Sequence, residues 1–263
     1  LQDLFEGTEG SHRDRAWSIV GPYGSGKSIF SLFTLKLLCG DHSNWITRSL
    51  SHLEIANPEL KNEIETRDKS TSNLYMPVIA QGSTSSLDFT LCSALLEATN
   101  YPSKGPSWVS EQFIESIQLN METIEAGIVD SKSTIDLYRR AIHFAKDAGY
   151  KGLIVVIDEF GKFLETAAHK GSVSSVITSQ YLAELASSSK DSDLMYFTIL
   201  HQGMSNYMTS LSEREWNEWT KIQGRFRNVE FTQDEYGLYQ LIAASLYQSG
   251  AISENVLEGW TAR

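Results

Sequence analysis

The feature that most constrains the fold is a glycine-rich segment, residues 21–28, which stands between an apolar run and a run of helical periodicity. The apolar run is residues 16–20, and residues 28–38 carry apolar side chains at helical spacing. A strand that enters a helix through a glycine-rich turn is the opening unit of parallel α/β folds. We call residues 21–28 the glycine loop.

The glycine loop matches the pattern G-x-x-x-x-G-K-[ST]. Glycines at these positions let several backbone N–H groups converge on a phosphate, and the following helix N-terminus adds partial positive charge. Lys27 is expected to reach the terminal phosphate oxygens, and Ser28 to ligate Mg²⁺. The residues expected to contact the nucleotide are Gly21, Pro22, Tyr23, Gly24, Ser25, Gly26, Lys27, Ser28 and Ile29. No Asn-Lys-x-Asp motif is present to read guanine, which favours ATP as the ligand.

Further β-prone apolar runs alternate with helix-period segments along the chain. The strand candidates are residues 74–80, 153–157, 194–200 and 228–231, and the helix candidates between them are residues 86–99, 134–148 and 176–187. The run 153–157 is apolar without alternation, as expected for a strand covered by helices on both faces. The predicted fold class is therefore α/β, with a parallel five-stranded sheet flanked by helices, over residues 1–232.

Three stretches depart from this alternation. Residues 41–73 are polar and predict only one weak helix, near 58–66. Residues 102–130 are acidic but keep apolar residues at helical spacing, which indicates either an insertion packed on the domain surface or a surface for docking a partner. A capping box at 212–215 predicts a helix. Two helix-period segments, 234–247 and 253–263, predict the start of a separate helical lid domain at 233–263.

Two adjacent carboxylates, Asp158 and Glu159, follow the buried strand at 153–157. Ligands of open α/β sheets bind at the carboxyl ends of the strands. Asp158 is placed there to hold Mg²⁺ through water, and Glu159 to orient and polarise the water that attacks the terminal phosphate. The alternative is an acidic pair that caps the following helix.

Polar residues near the last two strands complete the candidate site. His201 and Gln202 end the strand at 194–200, and either could sense the terminal phosphate; Gln202 is slightly favoured. Alternatively, the two bond only to loops. Arg225 precedes the final strand and could neutralise charge on a transferring phosphoryl group, from the same chain or from a neighbour in a ring. The competing interpretation is a surface arginine paired with a carboxylate.

With these elements in order, the chain resembles the AAA+ and related P-loop ATPases that have an additional strand between the two nucleotide-binding strands. The resemblance spans roughly residues 17–231, and it implies that Arg225 acts on the nucleotide of a neighbouring subunit. The motifs around the glycine loop, Asp158 and His201 are also similar to large multi-domain bacterial ATPases, several of which belong to anti-phage defence loci. The interval between Lys27 and Asp158 is longer than AAA+ proteins usually have, which leaves strand order and subfamily open.

Composition limits partners and location. The net charge of −11 opposes general nucleic-acid coating, so nucleic acid stays open only by family analogy. The only concentrated basic stretch is Arg139, Arg140, Lys146 and Lys151. No apolar run is long enough to cross a membrane, and the 2 cysteines suggest a reducing, cytoplasmic setting. The chain begins with Leu1, which we interpret as a piece of a longer protein whose partners are its own further domains and other copies of itself.

The favoured function is Mg²⁺-dependent ATP hydrolysis that drives a conformational or assembly change in a larger complex. The alternative is a switch that binds ATP, turns over slowly and gates oligomerisation. A small-molecule kinase fits less well, because Glu159 favours water as the acceptor. A transporter-type ATPase would carry a Leu-Ser-Gly-Gly-Gln signature, which is absent.

Overall fold

The computed structural model describes residues 15–40, 43–68, 74–100, 107–170, 176–188, 193–207 and 213–231. The predicted helices at 234–247 and 253–263, the lid domain at 233–263 and Ser212 of the capping box lie outside these residues. Within the described ranges, no helix has both the length and the apolar character needed to cross a membrane.

Groups of one to three α-helices separate successive strands in the described chain. The strands are β1 (Ala16–Val20), β2 (Tyr75–Gln81), β3 (Gly152–Asp158), β4 (Leu194–Leu200) and β5 (Arg227–Glu230). The helices are α1 (Lys27–Leu38), α2 (Asn44–Ala56), α3 (Pro58–Asp68), α4 (Leu87–Ala98), α5 (Glu111–Glu125), α6 (Ser131–Asp147), α7 (Gly161–Lys170), α8 (Ile177–Ser187) and α9 (Glu213–Gln223). A short 3₁₀ helix, Met204–Tyr207, follows β4.

The strands form one five-stranded sheet in the order β2-β3-β4-β1-β5. Every pairing is parallel, which confirms the predicted parallel α/β sheet flanked by helices. Strand β4 lies between β1 and β3, so the strand preceding the glycine loop and the strand ending at Asp158 are not neighbours. Because all strands run the same way, their carboxyl ends meet at one edge of the sheet.

The core is divided by the sheet into two apolar clusters. On one face, α1, α2 and α3 cover Trp17, Ile19, Ile154 and Val156. On the other face, α4 to α8 cover the alternate strand positions, among them Val155 and Ile157. Strand β3 is therefore buried on both faces, and this explains its continuous apolar sequence.

The prediction of a single weak helix in residues 41–73 was wrong, because the structure has two helices there, α2 and α3. Ile46, Leu50 and Leu53 recur at four- and three-residue spacing along α2 and pack in the cluster that also holds α1. The polar residues between them obscured this stripe. Asn57 separates the helices, and its Oδ1 accepts a hydrogen bond from the backbone N–H of Leu60 at 3.0 Å, at the start of α3.

The acidic stretch at 102–130 contains α5, which packs on the domain. Ser110 caps the helix by accepting the backbone N–H of Phe113 at 3.3 Å. Phe113, Ile117 and Ile124 are buried in the core cluster, while Glu111, Glu115, Glu122 and Glu125 are exposed. The helix is thus the surface-packed insertion that the apolar spacing predicts, with its acidic residues facing outward.

Candidate functional site

The carboxyl edge of the sheet brings the sequence-predicted residues together. Val20 pairs in register with Leu200, and Gln81 pairs with Asp158. The glycine loop, the Asp158–Glu159 pair and His201 therefore leave neighbouring strands at the same level. Backbone hydrogen bonds connect the segments that follow these strands. The N–H of Gly21 donates to the carbonyl of Leu200 at 3.2 Å, and the N–H of Phe160 donates to the carbonyl of Ile199 at 3.0 Å.

The glycine loop needs glycine at two of its turns. Gly24 has φ +78° and Gly26 has φ +88°, a left-handed conformation that side chains with a Cβ rarely adopt. Gly26 precedes α1 directly, and its carbonyl accepts the N–H of Phe30 at 2.9 Å as the first helical bond. The loop thus turns sharply into the helix N-terminus, where backbone N–H groups have no partner within the helix.

Lys27 folds back over its own loop. Its Nζ donates to the carbonyl oxygen of Pro22 at 2.7 Å and lies 3.4 Å from Oγ of Ser25. The residue is only 7% exposed. Burial lowers the pKa of the Lys27 ammonium, and the opposing charge of Asp158 acts in the other direction. The loop therefore concentrates a cation, held by exchangeable hydrogen bonds, beside the Asp158 carboxylate.

Ser28 and Asp158 form a direct contact across the site. The Ser28 hydroxyl donates to Oδ2 of Asp158 at 3.0 Å, and Oδ1 accepts the backbone N–H of Glu159 at 2.8 Å. A hydroxyl and a carboxylate are hard oxygen donors of the kind Mg²⁺ takes, together with water and substrate phosphates. Within the described residues, no group of three or more His, Cys, Asp or Glu side chains could hold a metal ion. These two residues thus fit Mg²⁺ only if phosphate and water supply its remaining ligands.

Glu159 has an unusual backbone. Its φ of +53° is the only positive value at a non-glycine position in the described chain. Such strain is held by surrounding contacts and clusters at functional sites. Here the N–H of Gly82 donates to the carbonyl of Asp158 at 2.7 Å, and helix α7 begins at Gly161, two residues after Glu159. Among the described contacts, no backbone N–H of α7 donates to the side chain of Asp158 or Glu159, and the two carboxylates bond instead to Ser28, the Glu159 N–H, Lys162 and Gln81.

The Glu159 carboxylate is held by two donors at one oxygen. Lys162 Nζ lies 2.6 Å from Oε2, and Gln81 Nε2 lies 3.4 Å from the same atom. Lys162 also reaches the carbonyl of Gly82 at 3.3 Å. The hydrogen bond and charge of Lys162 lower the pKa of Glu159, and the same pair raises the pKa of Lys162. Oε1 makes no hydrogen bond to the described residues, which leaves one oxygen available to a water.

His201 and Gln202 lie in different places. The His201 ring stacks on Tyr23 of the glycine loop with centroids 5.0 Å apart, and its nitrogens lie 3.1 and 3.3 Å from the hydroxyl of Tyr207. Gln202 instead lies near that hydroxyl, where it acts to lower the pKa of Tyr207. His201, rather than the slightly favoured Gln202, therefore faces the glycine loop.

A cavity of about 330 Å³ opens among these residues. The predicted residues that line it are Tyr23, Gly24, Gly26, Lys27, Ser28, Ile29, Asp158, Glu159 and His201. Of the other predicted residues, Gly21, Pro22, Ser25, Gln202 and Arg225 are not part of this lining. Gln81 also contributes to it, although no motif of the sequence identifies this residue. Its position at the end of β2, the strand that pairs with β3, could have identified it in the sequence.

A larger cavity, about 790 Å³, lies between α6 and α8. Its lining mixes Lys132, Arg139, Asp136 and Glu184 with apolar side chains. It shares no lining residue with the cavity at the glycine loop, and basic and acidic side chains alternate around it. The residues of the predicted motifs line the smaller cavity and not this one.

Arg225 lies at the opposite edge of the sheet. It precedes β5, whose Arg227 pairs with Trp17 near the start of β1. The Arg225 guanidinium is 3.2 Å from Oε1 of Glu184 on α8. The structure thus does not bring Arg225 to the cavity of its own chain, and the predicted alternative of a surface ion pair describes its contact within the chain.

The concentrated basic residues are engaged by neighbours. Arg139 is 2.8 Å from Asp136, Lys146 is 2.9 Å from Asp193, and the guanidinium of Arg140 lies 4.9 Å from the centre of the Phe113 ring. These three basic residues therefore each have an acidic or aromatic neighbour. The comparisons with known proteins add no family: no protein-family model matches the chain, and no curated protein matches it.

Proposed function

We propose that the chain binds ATP with Mg²⁺ and hydrolyses it, and that the nucleotide state drives conformational change or assembly in a larger bacterial complex. The observation that carries the proposal is the contact between Ser28 of the glycine loop and Asp158, at 3.0 Å, in a cavity also lined by Lys27 and Glu159. A triphosphate in the loop would lie beside the Lys27 ammonium, the Ser28 and Asp158 oxygens that could ligate a metal ion, and the Glu159 carboxylate that could orient a water.

The strand order supports a finer assignment to the AAA+-like P-loop ATPases. In that class a strand separates the one that enters the phosphate loop from the one that carries the acidic pair. Strand β4 occupies that position, between β1 and β3. The helices on both faces and the parallel pairing agree with the same assignment.

Each residue has a part in the proposed reaction. Backbone N–H groups of the loop and Lys27 would bind the phosphates. Ser28 would ligate Mg²⁺ and Asp158 would hold it through water, so that the ion withdraws charge from the terminal phosphate. Glu159 would orient a water through Oε1, and His201 would contact the terminal phosphate from the end of β4. Arg225 would act on a neighbouring subunit, since it lies away from its own cavity.

A slow-turnover switch is the second candidate, and one contact favours it. The ion pair between Lys162 and Glu159, at 2.6 Å, stabilises the carboxylate and makes it a weaker base. A protein that kept this pair after binding ATP would hydrolyse slowly and use the bound state as its signal. Two measurements distinguish the candidates: the rate of steady-state phosphate release and the affinity for ATP. A switch binds ATP tightly and releases phosphate far more slowly than an ATPase that turns over continuously.

The test is phosphate release from ATP, measured against protein concentration with Mg²⁺ and with a chelator. We expect Mg²⁺-dependent release whose rate per chain rises as copies assemble. Lys27→Ala should weaken ATP binding by at least roughly a hundredfold, because it removes the charge-assisted bonds to the phosphates. Lys36→Ala, in the last turn of the same helix, is the matched control. Absence of both ATP binding and phosphate release would overturn the proposal.

A further inference from the structure

We propose that Tyr23 is a positioning residue: its ring stacks on His201 and so holds the glycine loop in the shape that binds phosphate. The inference rests on the proposed function, in which this loop binds the phosphates of ATP. The pattern G-x-x-x-x-G-K-[ST] accepts any residue at the position of Tyr23, so the motif itself gives the phenol ring no part.

The Tyr23 ring contacts the segment that follows β4. Its centroid lies 5.0 Å from that of the His201 ring and the two planes differ by 15°, which is an offset-stacked pair at an ordinary distance. Both residues line the cavity at the glycine loop. Tyr23 is 77% exposed, so its ring adds little to the apolar core. What the ring contributes is therefore this contact between the loop and the end of β4.

His201 gives the contact a fixed platform. It comes directly after Leu200, the last residue of β4, and this strand is buried at every position. The Tyr207 ring stands against the imidazole at 82°, with centroids 5.5 Å apart, and its hydroxyl oxygen lies within hydrogen-bond distance of the imidazole. The glycine loop is thus stacked on a ring whose own position is set by β4 and by the 3₁₀ helix that follows it.

Hydrogen bonds also restrain the loop before Tyr23, but one of them uses a group that the phosphates need. The N–H of Gly21 donates to the carbonyl of Leu200 at 3.2 Å. The Lys27 ammonium donates to the carbonyl of Pro22, next to Tyr23, at 2.7 Å. Under the proposed function, Lys27 turns from that carbonyl to the phosphates. The bond that restrains the loop beside Tyr23 is then lost at the moment of binding.

The ring stack does not compete with the phosphates in this way. It uses the faces of two side chains and takes no backbone N–H from the loop, so it can persist when Lys27 turns to the ligand. A loop already held in its binding shape loses less freedom when the ligand arrives, and this strengthens binding. We therefore expect the stack to act equally on every ligand whose phosphates the loop holds.

The test is the Kd for ATP and for inorganic triphosphate, each with Mg²⁺, measured by calorimetry. Tyr23→Leu removes the ring but keeps an apolar side chain. We expect both Kd values to rise by the same factor, roughly two- to tenfold, the scale of one aromatic pair. Unchanged Kd values in Tyr23→Leu would overturn the inference. A loss confined to ATP would also overturn it, because the ring would then contact the nucleoside.

Three further variants separate the stack from other effects. Tyr23→Phe keeps the ring and should restore binding of both ligands. In a His201→Leu background, Tyr23→Leu should weaken binding no further, because the stack is already gone. Tyr181→Leu is the control, since this tyrosine on α8 lines the larger cavity and not the one at the glycine loop. It should leave both Kd values unchanged.

Proton NMR of the ligand-free protein gives a readout that needs no nucleotide. A stacked phenol ring shifts the C–H signals of the imidazole through its ring current, and His201→Gln assigns those signals. We expect them to move in Tyr23→Leu and to stay near their parent positions in Tyr23→Phe. Signals that do not move in Tyr23→Leu would show that the rings are not stacked in solution, which would overturn the inference.

The two proposals fail in distinguishable ways. If the parent protein binds neither ATP nor inorganic triphosphate, the proposed function fails and the inference falls with it, whatever the NMR signals show. If the parent binds both ligands and Tyr23→Leu binds them equally well, the inference alone fails and the proposed function stands.

Discussion

The Ser28 hydroxyl lies 3.0 Å from Oδ2 of Asp158, although 130 positions separate the two residues in the chain. Because Lys27 and Glu159 flank this contact in sequence, it brings the glycine loop and the acidic pair to one point. Both atoms are oxygen donors, so under the proposed function these two residues would hold Mg²⁺.

Loss of the Ser28 hydroxyl should therefore affect the metal first. For Ser28→Ala, we expect the Mg²⁺ concentration that gives half-maximal ATP hydrolysis to rise about tenfold or more, the range seen when groups that support a metal are removed. Ser28→Thr keeps a hydroxyl at the same position and should retain the parent Mg²⁺ dependence. Equal Mg²⁺ requirements in the alanine variant and the parent would show that Ser28 is not a ligand.

Glu159→Gln should separate binding from hydrolysis. The amide keeps the size of the side chain but is a poor proton acceptor, so we expect kcat to fall by roughly a hundredfold or more. ATP affinity should stay within a few-fold of the parent value, because the phosphates are held by the glycine loop. Both are measured on the same preparations by phosphate release and by titration with labelled ATP.

Glu122→Gln is the matched control for that substitution. Glu122 lies on α5 in an exposed position and does not line the cavity, so the same chemical change there should leave hydrolysis unaltered. If Glu159→Gln hydrolysed ATP at the parent rate, another group would have to orient the water.

The sequence carried much of the fold because local patterns coincide with the tertiary arrangement. Residues 153–157 predict a strand buried on both faces, and β3 is one. Gly24 and Gly26 predict a turn that needs glycine, and both have positive φ. Where the apolar stripe was diluted, as at Ile46, Leu50 and Leu53 of α2, the same reasoning missed a helix that packing on α1 stabilises.

The contacts that were missed are those between segments distant in sequence. The sequence places His201 and Gln202 at the end of β4 but does not decide between them. A shift of one residue in the position where the strand ends exchanges which of the two side chains faces the glycine loop. Tyr207 and Gly161 resolve this in space, through a hydroxyl that packs against Gly161 and bonds to His201. The ion pair of Glu159 with Lys162 has a local signal in the sequence, because residues three apart become neighbours on one helical turn.

A buried carboxyl away from the cavity gives a prediction for stability. Asp88 is 1% exposed, and the hydroxyl of Thr178 lies 2.8 Å from Oδ1 and 3.0 Å from Oδ2. Burial raises the pKa of Asp88, although hydrogen bonds from Thr178 and neighbouring hydroxyls oppose the rise. The folded state thus favours the protonated acid more than the unfolded state does. The resulting contribution to stability is present at low pH and is lost as the pH rises through the folded-state pKa.

Asp88→Asn has no charge to gain, so it should escape this loss. We expect the free energy of unfolding of the variant, relative to the parent, to increase between about pH 4 and pH 7. The measurement is denaturant unfolding of both proteins across that range. Asp136→Asn, at an exposed position, should show a much flatter difference. A difference that stayed constant or fell with pH would mean that Asp88 is stabilised as the carboxylate.

Arg225 should act between subunits, since it lies at the edge of the sheet opposite the cavity and pairs with Glu184 at 3.2 Å. Arg225→Ala should bind ATP normally, yet its turnover at assembling concentrations should fall by at least about a hundredfold, as expected when a guanidinium that neutralises phosphoryl charge is removed. Arg139→Ala removes an exposed arginine from a different surface and should retain activity.

Mixing two inactive variants tests the direction of this action. Arg225→Ala chains keep Glu159 but lack the arginine, whereas Glu159→Gln chains keep the arginine but cannot activate water. In a mixed assembly, a Glu159→Gln neighbour can supply Arg225 to the intact cavity of an Arg225→Ala chain, so phosphate release should rise well above the sum of the separate activities. If the mixture releases phosphate only at that sum, Arg225 does not act across a subunit interface, and its contact with Glu184 is the structural role that remains.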